Sequence, residues 1–282
     1  MHRVNAGAKS AWNNDAVIDK LNRGADGIEI QVLSTRDRFF TDSWTLDLTK
    51  PCLEAVTAVH MPLTDNIDIA IDTRQGPEYL KETCARAQAL SETYGHRIHV
   101  IAHYNGSKKY LEDIGYYSQF VDFIRGTAKI YDNVDLCIEN NVCNPMSPCE
   151  NCILVIDVGR ENVRTCFDTC HALMIEKVTG AMAQVGNYKP FTIMDQITAN
   201  RGLCSHIHFA NAEWYMNNYG DKKGHGTTFG EKDDFVLAYL VQKSEKYFPD
   251  ADVIYEVRED DYYNSMNYSK IKEQRENLLS AL

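Results

Sequence analysis

Asp168 and His171 stand three residues apart in the stretch V-R-T-C-F-D-T-C-H, residues 163–171. A carboxylate and an imidazole at that distance, at the mouth of a strand, can hold two metal ions or one ion and a substrate oxygen. The pair has a plainer reading too, in which Asp168 caps the next helix and His171 lies on its first turn. Recurrence along the chain separates the two. His60 closes E-A-V-T-A-V-H, His103 closes R-I-H-V-I-A-H and Glu139 closes N-V-D-L-C-I-E. His208 closes L-C-S-H-I-H, Glu256 closes D-V-I-Y-E, and His225 lies in a loop between these last two. A single histidine at a strand end is usually a hydrogen-bonded core residue. Successive strands that each end in His, Asp or Glu are not explained that way. Imidazole and carboxylate without thiolate form the donor set of a hydrolytic or isomerising zinc or manganese site. The donors exceed the needs of one ion, so a multinuclear centre is expected.

Such a centre needs elements that bring distant residues to one face. The chain alternates strand, loop and helix. Strands are expected at Arg3–Gly7, Gly27–Leu33, Glu54–His60, Arg97–His103, Asn133–Glu139, Val163–Asp168, Leu203–His208 and Asp252–Glu256. Helical spacing covers Asn14–Arg23, Pro77–Tyr94, Tyr110–Ile124, Asp233–Tyr247 and Tyr268–Leu282, with Gly24 and Gly95 as stops. Strands alternating with helices imply a parallel sheet, and eight of them in this length imply one closed (β/α)₈ TIM barrel spanning 1–282. In that fold the C-terminal strand ends converge, so His60, His103, Glu139, Asp168, His171, His208, His225 and Glu256 become candidate metal ligands.

Composition bounds the alternatives. A chain with 44% hydrophobic and 24% charged residues has ample material for a globular core. No apolar run is long enough to span a membrane, and Met1–Asn5 lacks a signal-peptide pattern, so a cytoplasmic protein is expected. Nine cysteines, an odd number, point to reduced thiols rather than a disulfide framework. Cys149 and Cys152 form a single C-x-x-C with Cys143 upstream; without a second pair, this carries no zinc-finger signal. A net charge of −11 argues against indiscriminate coating of nucleic acid. His99 and His206 should share the inward face but lie deeper, as core residues. The facing of Glu29 depends on register.

The segment V-R-T-C-F-D-T-C-H-A resembles the corresponding strand of endonuclease IV, the zinc-dependent family of apurinic/apyrimidinic endonucleases. Further segments agree in order: G-A-K-S, G-I-E-I-Q-V-L with Arg38 in the next loop, H-M-P-L, H-Y-N-G-S, I-E-N-N, I-H-F-A-N, H-G-T-T-F-G-E and Y-E. The resemblance spans nearly the whole chain and implies a xylose isomerase-like barrel. It implies that His60 and His103 bind one zinc ion and that Glu139 bridges to a second, held also by Asp168, His208 and Glu256. His171 and His225 would hold a third. The chain departs from the family in two places: Lys223-Gly224-His225 replaces D-x-H, and Lys9 replaces a histidine near the start. Asp221 sits two residues early for the missing carboxylate. Two or three Zn²⁺ ions are therefore expected.

Cations line the same loops: Arg36 and Arg38, Lys108 and Lys109, Lys222 and Lys223. Arg38, Lys108, Lys109 and Lys223 are the candidate substrate-binding residues, suited to DNA with abasic sites or another phosphate-bearing substrate. Phe39, Phe40, Tyr104 and Trp214 could wedge or stack in nucleic acid, or pack on the barrel. Catalysis would fall to Glu139, Asp168 and Glu256 around a hydroxide that attacks phosphorus in line. The alternative is a sugar or sugar-phosphate isomerase or epimerase. One Mn²⁺ or Co²⁺ would then bind a small sugar while Glu139 and Glu256 exchange protons with it. Neither reading calls for a membrane or an obligate protein partner.

Overall fold

The structure, a computed structural model, describes residues 3–34, 36–62, 75–103, 114–140, 149–186, 189–212, 225–259 and 265–281. Eight parallel strands close into one barrel: β1 Gly7–Ser10, β2 Ile28–Gln31, β3 Val56–His60, β4 Ile98–His103, β5 Val134–Glu139, β6 Val163–Asp168, β7 Cys204–Phe209 and β10 Asp252–Tyr255. Each pairs with its sequence neighbour, and β10 closes the circle against β1 with Gly7 beside Ile254 and Ala8 beside Tyr255. The expected fold class is thus the observed one. Between β7 and β10, Asn211–Ala212 (β8) and His225–Thr227 (β9) form a small antiparallel pair.

Alternation along the strands divides the molecule into two environments. Ile28 and Ile30, Val100 and Ala102, Leu136 and Ile138, Ile207 and Phe209 lie in the large hydrophobic core with side chains of the surrounding helices. Fully burying one such aliphatic or aromatic side chain contributes about 1.5–3 kcal/mol. The intervening positions face the barrel axis: Glu29, His99, Ile101, His103, Cys137, Glu139, Cys166, Asp168, His206 and His208. Of these, Ile101, Cys137 and Cys166 form a small buried cluster of their own.

One expected strand is misplaced. The first strand is Gly7–Ser10, not Arg3–Gly7. Upstream, Val4 N–H donates to the Asp252 carboxylate, and Asn5 and Ala6 N–H donate to that of Asp26. Side chains thus take the hydrogen bonds that a strand ladder would have used there. The shift matters because it places Lys9 inside β1, in register with Glu29 of β2.

Helices Gln75–Tyr94, Asp234–Tyr247 and Met266–Leu279 fall close to expectation; of the helix expected at Tyr110–Ile124, residues 110–113 lie outside the described residues and the rest belongs to Ile114–Ile130. Helices Lys50–Glu54, Glu150–Val158 and Ile193–Asn200 were not anticipated by spacing, whereas Thr169–Val185 is the helix that the capping reading of Asp168 expects. The first residues past Tyr94 include Gly95 at φ +75°, a left-handed stop that a side chain would strain. No helix among the described residues is long and apolar enough to cross a membrane. The eight cysteines among them are free; Cys143 lies outside the described residues.

Candidate metal centre

The barrel gathers the strand-end residues around Glu139, which is almost fully buried. Its Oε2 lies 2.8 Å from His103 Nε2 and 3.2 Å from His60 Nε2. Its Oε1 lies 3.3 Å from His208 Nδ1 and 3.3 Å from His171 Nδ1. Two groups of potential ligands follow, each with its donor atoms within 4.8 Å of one another. One is His60, His103 and Glu139; the other is Glu139, Asp168, His208 and Glu256. Glu139 belongs to both. Burial works against its charge, but His103 and His208 outweigh that and hold its carboxyl well below the ordinary range.

Hydrogen bonds fix which nitrogen each histidine presents. His60 Nδ1–H donates to the Met61 carbonyl at 2.7 Å, which leaves Nε2 facing Glu139. His208 Nε2–H donates to Glu29 at 2.9 Å, which leaves Nδ1 facing Glu139, Asp168 and Glu256. A carboxylate behind the imidazole is the usual support of a metal-binding histidine, because it fixes the tautomer and raises basicity. With His208 Nδ1 unprotonated, Glu256 Oε2, buried and 2.7 Å from it, accepts no hydrogen bond. An acceptor left without a donor costs about 1–3 kcal/mol. A divalent cation among these nitrogen and oxygen donors would satisfy it, so the residues fit such an ion in both chemistry and spacing. Protonation also answers the negative charge: burial opposes an imidazolium at His208, yet Glu29 and Glu256 outweigh it and raise its pKa well above the ordinary value.

Asp168 fulfils both of its readings. Its Oδ1 accepts from His171 N–H at 2.8 Å and caps helix Thr169–Val185, while its Oδ2 belongs to the side facing His208 at 3.9 Å. Asn140 locks it from the neighbouring strand, accepting from Asp168 N–H at 2.6 Å and donating to its carbonyl at 3.0 Å. Burial lifts the Asp168 carboxyl to about 7 against the pull of His171. Burial would lower His171, but Asp168 and Glu139 raise it to about 9. His171 Nδ1–H donates to the Asn140 carbonyl at 2.7 Å, and this histidine enters neither ligand group.

His225 opens β9; its side chain and residues 221–224 lie outside the description, so a third ion and Lys223 have no geometry here. Its backbone is nonetheless close to the centre. Gly226, at φ +72°, lies so near Glu256 that an added Cβ would stand 2.8 Å from the Glu256 carbonyl oxygen. Lys108, Lys109, Tyr104 and Trp214 also lie outside the described residues. Arg38 is exposed in the loop after β2 and pairs with Asp47 at 3.2 Å. Phe39 is not a free wedge: it is fully buried, edge-on to Trp12 at 5.2 Å, because the loop folds back as a short 3₁₀ turn capped by Asp37.

Two inward charges were not placed by sequence reasoning. Glu29 is fully buried and accepts from both His206 and His208 through Oε2. Lys9 Nζ lies 2.7 Å from Glu256 Oε1 and 3.2 Å from Glu29 Oε1. Burial disfavours its ammonium, but Glu256 and Glu29 outweigh that and keep it charged. The signal for Glu29 was present in I-E-I, where both flanking isoleucines belong to the outer core.

Neither a model of a known protein family nor a curated protein matches the sequence. Solved structures do match in shape. A D-tagatose 3-epimerase-like protein superposes with TM-score 0.61 at 15% identity, covering 98% of this chain and 97% of that one. The D-allulose 3-epimerase from Methylomonas sp. gives 0.62 at 13%, over 100% and 98%. Endonuclease IV from Thermus thermophilus gives 0.60 at 14%, over 98% and 99%. Epimerases and an endonuclease thus superpose equally well, and what they share with this chain is the closed barrel. The chain has the closed (β/α)₈ TIM-barrel fold.

Proposed function

We propose that this protein is a divalent-metal-dependent enzyme that hydrolyses phosphodiester bonds, in the manner of endonuclease IV, with zinc as the metal. The observation that carries this reading is the double membership of Glu139. Its Oε2 faces His60 and His103, and its Oε1 faces His208, the arrangement by which one carboxylate serves two adjacent ions. Bound there, the ions would supply an activated water and charge neutralisation at the phosphoryl oxygens.

The chain's own residues would do the rest. His60, His103 and Glu139 would hold one ion, and Asp168, His208 and Glu256 would share Glu139 in holding the other. Glu29 orients His208, and Asn140 orients Asp168. Arg38, with Lys108, Lys109 and Lys223, would position the phosphate-bearing strand, and the substrate class is DNA containing abasic sites. His171 and His225 are the candidates for a third ion.

A second reading, a sugar or sugar-phosphate isomerase or epimerase, is favoured by one specific observation. Glu139, Asp168, His208 and Glu256 form a four-residue group that is complete without His60 and His103. One Mn²⁺ or Co²⁺ held there would bind adjacent sugar oxygens, with Glu139 and Glu256 moving the proton. Metal content of protein purified without chelator separates the readings. Two or three zinc ions per chain together with cleavage of an abasic-site oligonucleotide support the hydrolase. A single ion, with turnover of a ketose and no cleavage, supports the isomerase.

A further inference from the structure

Below the candidate centre, His99 of β4, His206 of β7 and Asp252 of β10 converge inside the barrel. We propose that His99, His206 and Asp252 form a second, separate site for a borderline divalent cation such as Zn²⁺, near the N-terminal mouth of the barrel. One donor atom from each lies within 4.8 Å of the other two. The residues come from three strands, and β4 is not adjacent to β7 or β10, so the cluster bridges the barrel interior.

Hydrogen bonding leaves one nitrogen of His206 without a partner and turns one nitrogen of His99 to Asp252. His206 is fully buried and its Nε2–H donates to Glu29 at 2.8 Å. Nδ1 is then the nitrogen with a bare lone pair, and it is buried with no hydrogen-bond partner. Ordinary core packing does not explain an unsatisfied buried acceptor, which costs about 1–3 kcal/mol. His99 Nδ1 lies 3.3 Å from Cys137 Sγ, so Nε2 is the nitrogen turned to Asp252, 3.5 Å from Oδ2. Asp252 Oδ1 is engaged by Val4 N–H at 2.8 Å, and Oδ2 is the oxygen left to bind. Two ligands of a tetrahedral zinc ion stand about 3.3 Å apart, close to the spacing already present between His99 and Asp252.

Access is built in. The side chains of His99 and Asp252 are 7% and 13% exposed, whereas His206 is sealed, so an ion would enter from the mouth and reach His206 last. The two sites would be linked through one atom, because Glu29 Oε2 accepts from both His206 and His208. A cation on His206 would pull electron density from its ring and strengthen its donation to Glu29. Three protein donors leave one position for water.

Anomalous diffraction at the zinc edge, on crystals of the unaltered protein grown with zinc, tests this directly. A peak between His99, His206 and Asp252, apart from any peak at Glu139, is the expected result. Peaks at Glu139 with none at the lower cluster would overturn the site while leaving the proposed function standing. A solution test runs in parallel. After zinc loading and gel filtration, the His99→Gln/Asp252→Asn protein, checked for native circular dichroism, should hold one equivalent less than the unaltered protein. Equal metal content in the two would reject the proposal.

Discussion

The two faces of the same barrel strands follow opposite rules. The outward face of β4 carries Ile98, Val100 and Ala102, all in the large core under the helices, while its inward face carries His99, Ile101 and His103. β7 repeats the division, with Ile207 and Phe209 outward against His206 and His208 inward. In most barrels of this fold the interior is filled by branched aliphatic residues. Here the apolar content is a small cluster of Ile101, Cys137 and Cys166, set among polar side chains that Glu29 connects from His206 to His208. The fold is therefore secured almost entirely from outside the strands, which leaves the inside free for ionisable groups that contribute little packing. Substitutions on the two faces should then fail in different ways.

The largest expected effect is inward. Glu139→Gln removes the one carboxylate common to both ligand groups, so metal content should drop and, under the proposed hydrolase function, the rate on an abasic-site oligonucleotide should fall about a thousandfold or more. Circular dichroism should be unchanged, since Glu139 lies outside the large core. Its outward neighbour gives the opposite pattern. Ile138→Ala leaves a cavity between β5 and the helices and should cost about 2–5 kcal/mol in urea denaturation. The fraction that remains folded should still bind metal with the original stoichiometry. If Ile138→Ala lost metal in proportion to Glu139→Gln, the separation of faces would be broken.

That separation also explains what could be read in the sequence. A polar residue closing an apolar run is conspicuous, which is why His60, His103, Glu139, Asp168, His208 and Glu256 were legible, along with the eight-strand closure. The deeper placement of His99 and His206 followed from the same period of two. Glu29 has no such position at a strand end, and its facing was set only by the pairing of β2 with β1 and β3. The first strand was misplaced because apolar content in R-V-N-A-G looks no different from that in G-A-K-S. The deciding bonds come from Asp26 and Asp252, the latter 248 residues away from Val4. Helix Glu150–Val158 escaped notice because its residues are apolar on most sides, with Ile153 and Ile156 exposed, and show little periodicity. Arg38 was found in the expected loop, but its pairing with Asp47 could not be inferred from spacing.

Glu29 allows a finer test of the inward face. It belongs to neither ligand group but accepts from His208, which does, so Glu29→Gln should leave the number of ions unchanged while weakening them about 10–100-fold in a competition titration against a chromophoric chelator. Gln with its amide oxygen in the Oε2 position can still accept from both histidines, but it cannot balance the Lys9 ammonium, which lies 3.2 Å from Oε1. An unchanged affinity would mean that Glu29 serves only to neutralise Lys9.

Asp168 is where the two roles meet, and two substitutions part them. Its Oδ1 caps the helix, so Asp168→Ala should cost about 1 kcal/mol in chelator-treated protein, whereas Asp168→Asn keeps the cap and should cost much less. Both should lose affinity at the four-residue group, because neither offers an anionic oxygen to a cation. The pH dependence gives an independent reading. Burial raises the Asp168 carboxyl from 3.8 to about 7, so the folded chain holds a proton there that the unfolded chain releases. Its contribution to stability is complete below pH 3.8 and disappears as pH climbs through 7. An asparagine cannot titrate, so urea midpoints of chelator-treated Asp168→Asn should fall less steeply than those of the parent between about pH 4 and 7. Parallel profiles would show that this carboxyl stays ionised across the range, and that the cap at His171 N–H outweighs burial among the acids around Glu139.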